Sequence, residues 1–227
     1  MELSIDTSTR YAGAGLSEEG KLLAEYSWVS RQNHSVELLP AIDHLLKTNG
    51  AAPRDLTCVY VAIGPGGFSA LRVGLSTAKG LAISLGIPLV ALNTLEIEAY
   101  PYRGLGMPVC AALDAGRNEV AAAVFTEEDG VLKTARDAWI ATPEEALSSV
   151  KGAVLFCGEG LSLLEPTLKK RSGVGAALAE GAPPTRRPGT LAKMGYERFA
   201  GGELADVSTL EPLYLRKPSI STPRRPA

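Results

Sequence analysis

The hydrophobic period along this chain changes in an orderly way. Residues 2–6 (ELSID), 11–17 (YAGAGLS) and 21–29 (KLLAEYSWV) alternate apolar and polar positions, with the polar turns TSTR and EEG between them. Period-two patterning bounded by turn residues predicts a three-stranded meander. Over 35–50 the period lengthens. Leu38, Leu39, Ile42, Leu45 and Leu46 recur at helical spacing, and Asn49-Gly50 supplies a stop. Pro40 lies inside this segment, so the helix is expected to begin near it or to kink there. The near-continuous apolar run CVYVAIG (58–64) predicts a buried central strand. It leads into a GPGG turn, a helical segment over 69–86 and a short strand, PLVAL.

The same order recurs in the second half. PVCAALDA, VAAAVFT and VLKTARDAWI read as strands, joined by the turns GRNE and EEDG. TPEEALSSV predicts a helix capped by Thr142, with Pro143 at its first position. AVLFCGEG reads as another buried strand and LSLLEPTLKK as a short helix. Asp6 stands 14 residues before Gly20 and Asp114 stands 16 before Gly130, so the two meanders align as one duplicated unit. The pattern therefore predicts an α/β fold of two lobes, residues 1–103 and a shortened 104–211, with an extended C-terminal tail over 212–227. Within the second lobe, 171–190 is small-residue and proline-rich and predicts a loop with a short strand, and TLAKMGYERFAGG a helix. STLEPLYLRKP is extended, and the last residues, SISTPRRPA, carry no core signal and predict a mobile tail.

Composition narrows the function classes. At 227 residues, 45% apolar and 21% charged, the chain can bury a full core and is not a disordered protein. Its net charge of −2 lacks the basic excess of a chain that grips nucleic acid through its own surface. Aromatics at 6% argue against a single-strand stacking platform. Cys58, Cys110 and Cys157 each sit in an apolar run and read as reduced core residues. The chain opens on MELSIDTS, without the pattern of a signal peptide, and holds no apolar run of the ~18 residues a span needs, so a cytoplasmic protein is expected.

Each half carries an aspartate at its first turn: Asp6 with Thr7 and Ser8, and Asp114 with the turn that follows it. In a two-lobed fold such turns present backbone N–H groups to phosphate. The alternative is two solvated turns whose short polar side chains bond their own backbone. Gly64, Gly66 and Gly67 make a tight strand-to-helix turn with exposed N–H groups suited to an anion. It matches neither a Walker loop nor a nucleophile elbow, since Leu71 stands where the second elbow glycine is needed. Both histidines, His34 and His44, precede Ser69, against the order of a serine hydrolase, and they are too far apart to chelate one ion from adjacent turns. Arg72 reads either as a surface ion pair or as a partner contact. Gly74, Ala78 and Ala82 form a small-residue stripe that packs on the chain's own sheet or on a partner helix.

The segments IDTSTRYAGAGL, HSVELLPAIDHLL, GPGGFSALRVGLSTAKGLA, ALDAGRNEVAAAVF and LEPLYLRKP occur in this order, spread from residue 3 to 218. Together they resemble the TsaB (YeaZ) family, bacterial proteins that take part in making threonylcarbamoyladenosine on tRNA. Family members mostly read close to GPGSFTGLRIG at the central motif. Here Gly67, Ser69, Ala70 and Val73 stand in place of Ser, Thr, Gly and Ile, which keeps the turn and weakens a phosphate-contact role. The resemblance implies an actin-like, Hsp70-like (ribonuclease H-like) fold. It also implies a non-catalytic subunit that works with a TsaD-like transferase and a TsaE-like ATPase on the adenosine next to the anticodon. The His-x-x-x-His metal pair of the catalytic relative is missing here. No cofactor is then expected on this chain alone, ATP being used by the assembled complex. Relatives pair with themselves or with the partner through the first lobe. The expected partner face is accordingly Leu38, Leu39, Ile42, Leu45, Leu46, Arg72, Gly74, Ala78 and Ala82. Asp6, Thr7, Ser8, Gly64, Gly66, Gly67 and Asp114 would be a degenerate nucleotide or anion site. From the residues alone, a stand-alone nucleotide-dependent small-molecule kinase of the same fold is the alternative. Tight tRNA binding is not expected of this chain by itself. Arg216, Lys217, Arg224 and Arg225 are either a solvated tail or a tRNA contact within the complex.

Overall fold

The computed structural model describes residues 1–169, 176–179 and 185–216. Parts of the proline-rich loop, and the tail with Lys217, Arg224 and Arg225, lie outside the described residues.

The first meander forms as its alternation predicts: β1 (Glu2–Asp6), β2 (Tyr11–Glu18) and β3 (Lys21–Val29). α1 (His34–Thr48) follows as one helix, with Pro40 inside it on the exposed side. β4 (Cys58–Gly64), α2 (Phe68–Leu85) and β5 (Leu89–Asn93) complete a sheet of order β3-β2-β1-β4-β5. β1 runs antiparallel to β2 and parallel to β4, with Ile5 opposite Val61.

α3 (Thr94–Ala99) crosses to the second lobe. There β6 (Val109–Gly116), β7 (Glu119–Glu128), β8 (Val131–Ala141), α4 (Pro143–Ser149), β9 (Val154–Cys157), α5 (Leu161–Lys169) and β10 (Ala176–Leu178) build a second sheet. Its order, β10-β9-β6-β7-β8, is that of the first sheet strand for strand, again with β6 antiparallel to β7 and parallel to β9. The duplication is therefore one of topology as well as of pattern.

Four apolar clusters fill the layers. α1 and α2 cover one face of the first sheet through Leu38, Ile42, Leu45, Leu46, Ala78 and Ala82 against Leu3, Ile5, Val59 and Val61. α4 and α5 cover the second sheet. The inner faces of both sheets meet the crossing elements: Leu95 and Ala99 of α3 pack with β6 and β7, and Ile97 joins Leu191 and Met194 beneath β4 and β5. No described helix is long and apolar enough to cross a membrane.

Two boundaries differ from the sequence reading. The last helix, α6 (Pro188–Ala200), packs on β1 to β5 and so belongs to the first lobe, not to 104–211. A helix period shows that one face must be covered but does not say by which sheet. Residues 212–216, expected as the start of the extended tail, run without helix or strand and return to the cleft. Leu213 donates its N–H to the Ile63 carbonyl at 2.8 Å, and Tyr214 packs on Phe68 with ring centroids 4.8 Å apart.

Candidate functional site between the lobes

β1 ends at Asp6, where the strand's polar turn meets the chain returning from the second lobe. Asp6 Oδ1 accepts from the Ser8 N–H at 2.8 Å and from Ser8 Oγ at 2.6 Å. Its other oxygen takes Arg186 Nε at 2.7 Å. Both oxygens of Asp6 are thus engaged inside the protein. Thr7 Oγ1 donates to the Ala70 carbonyl at 2.7 Å, and Ser8 Oγ lies 2.9 Å from Thr94 Oγ1. Thr94 Oγ1 also accepts from the Gly64 N–H at 3.1 Å, which pins the end of β4 to the start of α3.

The glycine turn is built for close approach. The Gly67 N–H donates to the Ser8 carbonyl at 2.7 Å, and a Cβ on Gly66 would stand 2.2 Å from that oxygen. The second lobe repeats the arrangement at Gly158-Glu159-Gly160. There the Gly160 N–H donates to the Ala112 carbonyl at 2.9 Å, and a Cβ on Gly160 would lie 2.9 Å from the Ala112 carbonyl carbon. The two turns hold corresponding places before the second helix of each lobe, the first closing on the Ser8 carbonyl just past β1 and the second on the Ala112 carbonyl within β6.

Arg186 lies at the centre. Its side chain is 2% exposed and meets three carboxylates: Asp6 at 2.7 Å, Glu98 at 2.6 Å and Glu159 at 2.8 Å. These come from the end of β1, from the crossing helix α3 and from the second-lobe glycine turn. Arg186 also donates to Thr9 Oγ1 at 3.0 Å, and Thr185 Oγ1 donates to Glu98 Oε1 at 2.7 Å. Burial alone would raise the Asp6 carboxyl, but the Arg186 charge and the two Ser8 donors outweigh it and hold Asp6 below its ordinary range. For Glu98 and Glu159 burial wins over Arg186, and both are pushed up.

The two aspartates read as a pair therefore differ. Asp114 is exposed and accepts from the N–H of Gly116, two residues on, at 2.7 Å. It makes the self-satisfied turn that was the alternative to a phosphate clamp. Asp114, Gly66 and Gly67 do line one cleft of about 390 Å³, with Phe68, Tyr214 and Arg216. Asp6, Thr7 and Ser8 are buried behind it and are not among its lining residues.

The expected partner face also needs correcting. Leu38, Ile42, Leu45 and Leu46 point into the core, as do Ala78 (0% exposed) and Ala82. Gly74 faces Thr7, whose Oγ1 would stand 2.3 Å from an added Cβ. The small-residue stripe makes room for its own sheet and turn. Of the named set, Leu39 (56% exposed) and Arg72 remain outside. Arg72 stacks over Phe68 and donates to Tyr214 Oη at 3.0 Å. Val36 and Ile83, each 69% exposed, are the large apolar side chains that α1 and α2 present outward beside Leu39.

Ser69 and His34 line a common cavity, but His34 Nε2 is spent on the Thr9 carbonyl at 2.9 Å. Cys58, Cys110 and Cys157 are buried free thiols, the first two pushed up to about 12 chiefly by burial. Among the described residues no group of three or more His, Cys, Asp or Glu is placed to hold a metal ion. The sequence reading missed Thr94, Glu98, Glu159 and Arg186. Only Glu159 carried a usable signal, since aligning its GEG turn with GPGG marks it as a site position.

Known proteins give independent bearings. Residues 23–177 match the model of the family described as TsaD, tRNA N6-adenosine threonylcarbamoyltransferase. The "tRNA threonylcarbamoyladenosine biosynthesis protein TsaB" of Bacillus subtilis is 35% identical, with 94% of this chain and 93% of the relative covered. The Escherichia coli protein of the same name is 29% identical, with 94% of each covered. YeaZ from Pseudomonas aeruginosa superposes with a TM-score of 0.77 at 28% identity, over 94% of this chain and 99% of that one. A putative N-acetylmannosamine kinase from Listeria monocytogenes shares the fold at a TM-score of 0.51 and 11% identity, over 88% of this chain and 99% of that one.

Proposed function

This chain belongs to the TsaB family, whose work is the synthesis of threonylcarbamoyladenosine on tRNA, and we propose that within that synthesis it is a non-catalytic subunit. The single observation that carries this reading is the seat at Asp6. A catalyst of this fold needs a carboxylate free to meet a metal-bound phosphate or to take a proton. Here both Asp6 oxygens are committed, one of them to a buried arginine of the same chain. Transfer of a carbamoyl group needs a metal or dense donors at the reacting centre. The buried cation at this site, Arg186, is committed to carboxylates of its own chain. The stand-alone kinase reading is set aside, because the kinase likeness is one of fold alone.

The chemistry then belongs to a TsaD-like partner, with a TsaE-like ATPase spending the ATP, and no nucleotide is required on this chain. Its net charge of −2 favours tRNA contact through the complex rather than alone. Such work is done in the cytoplasm, consistent with three free cysteines. The partner docks on the outer side of the α1–α2 layer, at Val36, Leu39 and Ile83, and isolated copies pair through the same face.

Complementation tests this reading. In a bacterium depleted of its own TsaB, this chain should restore threonylcarbamoyladenosine in bulk tRNA, and purified protein should retain a TsaD-like protein in a pull-down. Leu39→Asp with Ile83→Asp should stay folded and lose both. Failure of the unaltered chain to restore the nucleoside, despite soluble expression beside a competent partner, overturns the proposal. Normal pull-down by the double variant moves the docking face elsewhere.

A further inference from the structure

Arg186 sits where the two crossings between the lobes meet. α3 carries the chain outward with Glu98, and residues 185–187 carry it back. Around the one guanidinium stand a first-lobe carboxylate (Asp6), a crossing-helix carboxylate (Glu98) and a second-lobe carboxylate (Glu159). Thr9 Oγ1 reinforces the bridge, donating to Glu159 Oε1 at 3.0 Å while it accepts from Arg186. A planar five-donor cation suits this geometry better than a lysine would, because its donors fork toward separate acceptors.

The count matters as well. Three carboxylates share one cation, and Glu98 Oε2 is buried with no hydrogen-bond partner among the described residues. An ionised oxygen left so is costly, whereas a neutral carboxyl in the same place costs far less. The groups facing Glu98 from the packed elements are Arg186 and Thr185, Asp6 of β1, Glu159 of the glycine turn, Cys157 of β9 and Tyr102 just past α3. Only Arg186 among them is a cation. Three carboxylates against one guanidinium leave two negative charges in excess, and a proton on Glu98 removes one of them.

We propose that Arg186 is a built-in clamp cation that fixes the two lobes against each other without any ligand, and that Glu98 is the member of its carboxylate trio that carries a proton. Closure that a bound ligand would otherwise enforce by bridging the lobes is here written into the sequence. A partner then meets one preset lobe angle.

Two measurements test this. Spin labels at Lys21→Cys and Lys133→Cys, exposed on β3 and β8, report the distance between lobes, the native thiols being buried. The parent distribution should be narrow and unmoved by Mg-ATP. Arg186→Met should broaden it, and so should the charge-free combination Asp6→Asn, Glu98→Gln, Glu159→Gln, Arg186→Met, which leaves no ion buried unpaired. A distribution that stays narrow in either variant, or a parent that closes on adding Mg-ATP, overturns the clamp. The second measurement uses folded, near-native protein. With Glu98 raised in the folded state, its contribution to stability is full at low pH and falls as the pH climbs from the ordinary carboxyl range through the raised value. Glu98→Gln, isosteric with the protonated acid, should flatten that fall in melting temperature, leaving Glu159 as the residual slope. If both clamp variants fail to fold, this arm decides alone, an unchanged slope in Glu98→Gln overturning the proposal.

Discussion

The two lobes share a strand order and part company in what they do with it. Each carries an aspartate at or near the end of its first strand, and each closes its second helix start with a glycine turn, on the Ser8 carbonyl just past β1 and on the Ala112 carbonyl within β6. Asp6 is buried and bound to Arg186, while Asp114 is exposed and bound to its own turn. The helices differ too, with 15 and 18 residues in α1 and α2 against 7 in α4 and 9 described residues in α5. The backbone plan thus survives with equivalent positions in unequal environments. What separates the aspartates is the segment that returns from the second lobe and aims one arginine at only one of them.

The thickness of the helical layer gives the sharpest test of that inequality. In the first lobe α2 is closed over its sheet, and Ala78 has no exposed surface. Ala78→Arg places a long cation where nothing pairs with it, and we expect a loss of about 3–5 kcal/mol or outright unfolding. Ile83→Arg, five residues on and exposed, should leave the denaturation midpoint within about 0.5 kcal/mol of the parent. A folded, unperturbed Ala78→Arg in urea titration means that α2 is rotated from the orientation described.

Next in size is the contrast between the aspartates themselves. Asp6→Asn sets an amide N–H against Arg186 Nε and gives up charge-assisted hydrogen bonds, so a cost of about 1.5–3 kcal/mol follows. Asp114→Asn keeps an acceptor for the Gly116 N–H and should change stability by less than about 0.5 kcal/mol. The sign in pH is set by the depressed Asp6 value. Its contribution is complete above the ordinary aspartate range and is lost as the pH falls through the lowered value, so Asp6→Asn should lose less than the parent on acidification. Equal effects of the two substitutions, read by denaturation at pH 7, would remove the distinction between the turns.

The glycine turns should instead behave alike. Gly66→Ala drives a methyl against the Ser8 backbone just past β1, and Gly160→Ala one against the Ala112 backbone in β6. Backbone cannot rotate aside as a side chain does, so each should cost about 1–3 kcal/mol. Gly80→Ala, with nothing within 4 Å, should gain about 0.5–1 kcal/mol in the middle of α2. Thermal melts of the three variants suffice, and a tolerated Gly66→Ala beside a damaging Gly160→Ala would break the equivalence of the turns.

Much of this architecture was legible because local chemistry wrote it. Alternation fixed the meanders, and the Asp6-to-Gly20 and Asp114-to-Gly130 spacings revealed the duplication before any contact was known. The site was less legible. Arg186 bonds partners 180 and 88 residues away, and nothing in TRRP marks which arginine turns inward. The apolar residues of α1 and the small stripe of α2 were legible as faces but not as to what covers them. An alanine that meets its own sheet looks the same in sequence as one that meets a partner. The burial of most of the expected docking residues is of that kind, and so is the assignment of α6 to the wrong lobe.

The smallest predicted difference lies at the starts of α1 and α4, which hold equivalent places after the third strand of each meander. Thr142 closes a full capping box: its hydroxyl accepts from the Glu145 N–H at 3.3 Å, while Glu145 accepts from the Thr142 N–H at 3.0 Å. Those bonds hold the exposed Glu145 carboxyl below its ordinary range. Asn33 occupies the same position before α1, yet its side chain caps nothing, and its backbone N–H is taken by Ser30 Oγ at 3.1 Å. A short helix depends more on its cap than a long one whose buried face already fixes it. Thr142→Ala should therefore cost about 1 kcal/mol, and Asn33→Ala close to nothing. Hydrogen exchange at the first-turn amides resolves the effect locally, with faster exchange expected at Glu145 in the first variant and no change at Val36 in the second. Equal costs in the two lobes would mean that α4 is held by its packing on β7 and β8 rather than by its cap.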